Sequence, residues 1–188
     1  MSNRERAAQR ALDIINNLGG VASEFRDNWL IVQAYSTEFE GVDQRAALIA
    51  AIEESIDNQK ATEILGNLQS EVQYLQQTPV GDLRFESADV RFRRNGLRDI
   101  TNVVDEQLDS NTRLANLICV VYQIRCNIDH GHKELTTARS QRLFTIGNSI
   151  LSTVVGALMP SPKTHKYNNL FKSDSQRLAF LLCVASGV

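Results

Sequence analysis

Proline and cysteine occur only three times each in 188 residues, and tryptophan once. Each shortage excludes something. So few cysteines in a chain this long exclude a disulfide-held miniprotein, and the length is enough to bury a core without such staples. The odd count leaves one thiol unpaired. Cys119 and Cys126 fall two turns apart on one predicted helix, too far along the axis to bridge, so reduced thiols are expected. Long apolar runs are also missing: Ile146 to Met159 is broken by Asn148, Ser149, Ser152 and Thr153, short of the ~18 residues of a membrane span. No transmembrane helix is expected. The opening residues, Met1 to Arg6, lack the apolar core of a secretory signal, which points to the cytoplasm. No Gly-rich phosphate loop, G-x-S-x-G elbow or acidic cluster suited to two metals is found. His130-x-His132, with Asp129 or Glu134 nearby, lacks the spaced second pair of a metal site, so neither metal nor cofactor is expected.

What is present is the material of a folded domain, with 43% hydrophobic and 22% charged residues, read as a single domain over 1–188. Pro79, Pro160 and Pro162 punctuate the chain, and between them the apolar period is mostly helical. Ser2 with Glu5 reads as a capping box opening a helix through Ala8, Leu12 and Ile15 that Gly19-Gly20 ends. Further helices are expected from about Ser23 to Tyr35 and from about Asp43 to Ile56. Another runs through Ile64, Leu65, Leu68, Val72 and Leu75 to Thr78-Pro79. From Val80 to Gly96 the period weakens, fitting short strands, a hairpin or an irregular excursion, and the segment is read as a loop. A short helix follows through Leu97, Ile100 and Val104. Two long ones come next, from Thr112 to His130 and from Thr136 or Thr137 to Pro160. Ser173 with Gln176 opens a last one. The expected fold is all-α, an antiparallel bundle of about five to seven helices.

Net charge is only −2, but it is unevenly spread. Before Leu83 inclusive stand 6 basic and 13 acidic residues (−7); after it stand 14 and 9 (+5). The positive charge gathers in Arg84, Arg91, Arg93, Arg94 and Arg98, interleaved with Phe85 and Phe92, and again in Lys163, Lys166, Lys172 and Arg177. Arginine with aromatics suits phosphate contact and base stacking on single-stranded nucleic acid. The plain alternative is a solvated loop paired with the acidic half.

The Thr112–His130 helix carries the unusual residues. Its stripe Leu114, Ile118, Val121, Arg125, Ile128 puts a guanidinium in an apolar seam, which requires a partner or an anion. Asp129, four residues on, is the simple intrahelical candidate. His130 stands at the helix end, before Gly131. Cys126 beside Arg125 is a core thiol or a thiol of lowered pKa, and His165 is read as a surface residue.

The stretch Tyr122-Gln-Ile-Arg-Cys-Asn-Ile-Asp-His-Gly-His-Lys133, followed by a capped helix, resembles the signature region of HEPN domains, all-α proteins with an Arg, four to six residues, then His. The resemblance covers about Leu114 to Leu158. It implies a homodimer whose two Arg/His pairs share one cleft, and a metal-independent endoribonuclease leaving 2′,3′-cyclic phosphate ends. By position, Arg125 would hold the scissile phosphate, His130 would act as general base or acid, and Asn127 would assist. Lys133, Arg91, Arg93 and Arg94 would bind RNA. The resemblance also implies a toxin or defence role, with an antitoxin or defence-system partner. His132 stands where members paired with a nucleotidyltransferase antitoxin carry a modified tyrosine. The alternative is a non-catalytic helical module of this fold that binds RNA, a nucleotide or a protein.

Overall fold

A computed structural model describes residues 23–37, 39, 43–129 and 137–159. Among them are helices α1 (23–36), α2 (Gln44–Ser55), α3 (Asn58–Asn67), α4 (Gln69–Gln77), α5 (Val90–Val104), α6 (Ser110–Asp129) and α7 (Ala138–Leu158), and no strand. The fold is an all-α bundle, as expected. The expected helices after Ser2 and after Ser173 lie outside the described residues, as do His165 and the basic tail.

Local chemistry marks most helix starts. The carboxylates of Asp43, Asp57, Asp89 and Asp109 accept backbone N–H bonds from Arg45, Lys60, Arg91 and Thr112 at 3.0, 2.8, 2.8 and 2.9 Å. The Thr137 hydroxyl does the same for Ser140 at 3.2 Å. Each satisfies a donor that the helix itself leaves orphaned, and such caps stabilise by ~1 kcal/mol.

Two expectations are corrected. The apolar stripe from Ile64 to Leu75 is not one helix: Leu68, at φ −104° and ψ 19°, ends α3 and opens α4. Helix α3 packs on α6 and α7, while α4 packs on α5 and still reaches α7 through Glu71, which accepts from Ser149, and Tyr74, which lies under Arg142. Secondly, the expected loop over 80–96 ends at Asp89, and α5 starts at Val90. The inward face of α5 carries Phe92, Gly96, Asp99, Ile100 and Val103 at helical spacing, opposite an arginine-rich outer face, so the segment is strongly amphipathic at the helical period and not a loop.

The core is built around α6. Leu114, Ala115, Leu117, Ile118, Val120, Val121 and Ile124 are all buried, because α2, α3, α5 and α7 pack around it. Both α2 and α5 run antiparallel to it: Gln44 meets Tyr122 while Glu53 meets Asn111, and Asn102 meets Asn116. In contrast, α1 runs parallel to α7, from Phe25 on Phe144 (ring centroids 4.8 Å apart), through Asn28 on Asn148 and Ser152, to Tyr35, whose hydroxyl donates to the Leu158 carbonyl at 2.9 Å.

Candidate functional site

The last two turns of α6 hold the expected site residues that fall within the described region. Asn127 is 2% exposed. Its Nδ2 donates to the Gly81 carbonyl at 2.7 Å, and its Oδ1 accepts from Leu83 N and Gln123 Nε2, each at 3.1 Å. From the other side Asp82 N donates to the Phe92 carbonyl of α5 at 2.7 Å. The segment 80–83 is therefore clamped between α5 and α6. Two glycines make room for it: a Cβ on Gly96 would run into the Val80 carbonyl, and one on Gly81 into the Phe92 ring. Asn127, expected to assist catalysis, has both lone pairs of its oxygen engaged inside the protein. It positions the following residues.

Those residues are the start of the arginine cluster. Asp82, 2% exposed, receives Arg84 Nε at 2.9 Å and Nη2 at 2.6 Å. This bidentate bond raises the Arg84 pKa above its usual range. Arg91 makes a similar fork with its own helix cap, Asp89, through Nε at 3.0 Å and Nη2 at 2.6 Å. Its guanidinium also lies 4.3 Å from the Phe85 ring centroid, with Arg84 at 5.8 Å from the same ring. The base-stacking role expected of Phe85 and Phe92 is thereby displaced: arginine covers one ring, and the other packs over Gly81. Arg93 and Arg94 are exposed on the first turns of α5.

Arg125 is half-buried, and its guanidinium carbon lies 5.7 Å from the Trp29 ring centroid. The cation in the apolar seam therefore rests on an aromatic ring of α1. Trp29 in turn stacks on Tyr122, with centroids 5.9 Å apart and planes 20° apart. The Tyr122 hydroxyl donates to Gln44 Oε1 at 3.3 Å. Burial, followed by a hydrogen bond with Cys126, pushes the phenol up to about 12, against which the nearby Arg125 and Arg84 cations pull. Tyr122 was not among the expected site residues, although its spacing of three from Arg125 puts the two on one side of α6. Beside this cluster Arg45 of α2 forms a buried ion pair with Asp99 of α5, and Arg98 reaches the same carboxylate at 3.4 Å. Burial lowers the Arg45 pKa.

Arg125, Asn127, Arg84 and the arginines opening α5 thus share one end of α6. His130 and Lys133 lie outside the described residues, as does the Asp129 side chain, the simple partner considered for Arg125. Cys119 and Cys126 are both free thiols.

The other end of α6 differs. Asn111 Nδ2 donates to the Glu53 carbonyl at 2.8 Å and Thr112 Oγ1 to Glu53 Oε1 at 3.1 Å, so the exposed acids Glu53, Glu54 and Asp57 gather there with Glu106 and Asp109. Alongside runs an open groove of about 340 Å³ between α3, α4, α5 and α6, floored by Leu65, Val72 and Val103 and edged by Gln69, Gln73 and Gln76. No expected site residue reaches it. Among the described residues no three His, Cys, Asp or Glu side chains gather as metal ligands, and no helix is long and apolar enough to cross a membrane. Comparison with family models, curated proteins and solved structures finds no match to this chain.

Proposed function

We propose that the protein is an endoribonuclease of the HEPN type, working as a homodimer in which Arg125 and His130 of both copies line one cleft. The observation that supports this most is Arg125. It is a half-buried guanidinium held against Trp29 near the end of a core helix, five residues before His130, with the Asn127-anchored arginine segment at the same end. In the reaction the RNA 2′-oxygen attacks the adjacent phosphorus while the P–O5′ bond breaks. His130 takes the 2′-hydroxyl proton or supplies the one that leaves on the 5′-oxygen. Arg125 offsets the extra negative charge on the phosphoryl oxygens. The products carry 2′,3′-cyclic phosphate and 5′-hydroxyl ends. A toxin or defence role, with an antidote partner, belongs to the same proposal.

The test is RNA cleavage in excess chelator. Wild type should cut, while His130→Ala and Arg125→Lys should each reduce cutting at least a hundredfold, consistent with the usual size of acid–base and electrostatic contributions. The lysine keeps a cation near Trp29, so a matching thermal melt separates lost chemistry from lost folding. Intact RNA at high protein concentration would sink the proposal, as would a monomer by light scattering at micromolar concentration.

A second reading has its own support. Arg125 lies on Trp29 and Asn127 is engaged internally, as in a helical module whose polar residues hold the fold while it binds RNA without cutting it. Retained RNA affinity without cleavage would select this reading.

A further inference from the structure

We infer that the outer face of α5 grips the phosphate backbone of base-paired RNA, an inference that rests on RNA being the ligand in the proposal above. The first observation is that this segment is a helix where a loop was expected, so its arginines have a fixed geometry. At ~100° per residue, Arg91, Arg94 and Arg98 fall within ~60° of one another around the axis and span ~10 Å along it. Arg91 and Arg98 are each 54% exposed, and Arg94 is exposed between them. Although Arg91 bonds Asp89 and Arg98 reaches Asp99, α5 itself carries four arginines against one acid, and that acid, Asp99, is buried on Arg45.

Secondly, this charge works against the helix. Arg91, Arg93 and Arg94 occupy its first turns, where the helix dipole favours acids and disfavours cations, and the cap carboxylate of Asp89, paired with Arg91, is one acid against three arginines. Stability does not explain three arginines at that end, whereas a polyanion laid across it relieves both the mutual repulsion and the dipole conflict.

Thirdly, the described residues offer no aromatic platform. Proteins that take single strands combine cationic grooves with open rings on which bases stack. Among the described residues no aromatic side chain is exposed: Phe85 lies under Arg91, Phe92 packs over Gly81, and Trp29 packs against Tyr122 and Arg125. A rigid row of arginines without stacking rings fits a ligand whose bases are already stacked and whose phosphates face outward. That ligand is duplex RNA, read through backbone and shape.

The experiment is fluorescence anisotropy with the full chain carrying His130→Ala to prevent cleavage, using a 20-base-pair RNA duplex and a 20-residue oligouridine. The duplex should bind at least tenfold tighter than oligouridine. Arg94→Glu/Arg98→Glu should weaken duplex binding at least tenfold, with unchanged helix content by circular dichroism, and should lower the slope of log K against log salt by about two. Equal or tighter binding of oligouridine overturns the inference, as does unchanged duplex affinity in the double variant. A change of oligomeric mass in that variant, which would mark the face as an interface between copies, also overturns it. The nuclease proposal fails separately. Duplex binding by a wild-type protein that cuts nothing leaves this inference standing, while single-strand cleavage without duplex affinity does the reverse.

Discussion

The two ends of α6, ~24 Å apart between Asn111 and Asn127, solve opposite problems with similar side chains. At the amino end, Asn111 and Thr112 tie α6 to Glu53 and Asn58 around the α2–α3 turn, Asp109 caps the helix, and the surrounding charge is acidic. At the carboxyl end, Asn127 does its tying in the interior, and the segment it holds carries arginine to the surface. Asn111 is half-buried and its side chain makes one hydrogen bond, through Nδ2, while the buried Asn127 makes three, so loss at the carboxyl end should cost more. The comparison teaches that the basic surface is rigid because its anchor is dry.

Tests at five sites can break or sharpen that contrast. The largest effect is expected from Gly96→Ala, whose methyl group would meet the Val80 carbonyl and force α5 off the clamped segment. We expect at least about 3 kcal/mol of destabilisation by urea unfolding, and a neutral result would mean that α5 shifts freely. Next, Asn127→Ala removes three hydrogen bonds at a buried site and should cost about 2–3 kcal/mol. If it also abolishes RNA binding in a protein that still folds, the anchor and the basic surface are one device.

At the opposite end Asp109→Ala should cost only about 1 kcal/mol, the usual value of a helix cap. The bond from Thr112 N holds the Asp109 carboxyl below its ordinary value of 3.8. A depressed carboxylate contributes stability above that value and loses it as pH falls through the folded-state value. Asp109→Asn should therefore flatten the acid limb of the stability curve below about pH 4. The Tyr122 phenol has the opposite sign: raised from 10 to about 12, it contributes stability that is complete below pH 10 and lost as pH rises through about 12. Ultraviolet titration should show one late phenolate that moves only part of the way toward ordinary pH in Cys126→Ala, because burial, the larger cause, remains. Smallest of all, Lys60→Ala breaks an exposed ion pair of 2.9 Å with Glu63 and should change stability by less than about 0.5 kcal/mol.

Much of the fold was legible because its signals are local. The helix over Asp43 to Ile56 appears with Asp43 as its cap and Ile56 just past its end. The helix after Thr137 starts at Ala138 and stops before Pro160. The hidden parts are those in which non-local contacts replace apolar ones. Gly96 and Asp99 sit on the buried face of α5 because a carbonyl and an arginine from elsewhere meet them, and neither reads as core in a hydropathy pattern. Leu68 breaks its helix without proline, directly after Gly66-Asn67, within a stripe whose apolar spacing continues unbroken to Leu75.

The candidate site divides in the same way. Arg125 stands out in the sequence because a guanidinium in an apolar seam is costly, and that cost is local information. The ring it rests on is not local: Trp29 lies 96 residues earlier in the chain. Asn127 was noticed for its place beside Arg125, but its task, holding Gly81 and Leu83, depends on a segment more than forty residues away.

Charge shows the division most clearly. Cutting the chain after Leu83 separates −7 from +5, and the clustering of arginine between 84 and 98 follows from composition alone. Where that charge stands in space does not. Glu106 and Asp109 belong to the basic half of the chain yet stand at the acidic end of α6, and Arg45 of the acidic half neutralises Asp99 of α5. Helix periods and caps act over a few residues and are written in order along the chain. Coulomb interactions depend on distance through space, and the antiparallel pairing of α5 with α6 brings the arginines that open α5 to the end of α6, more than thirty residues later in the chain.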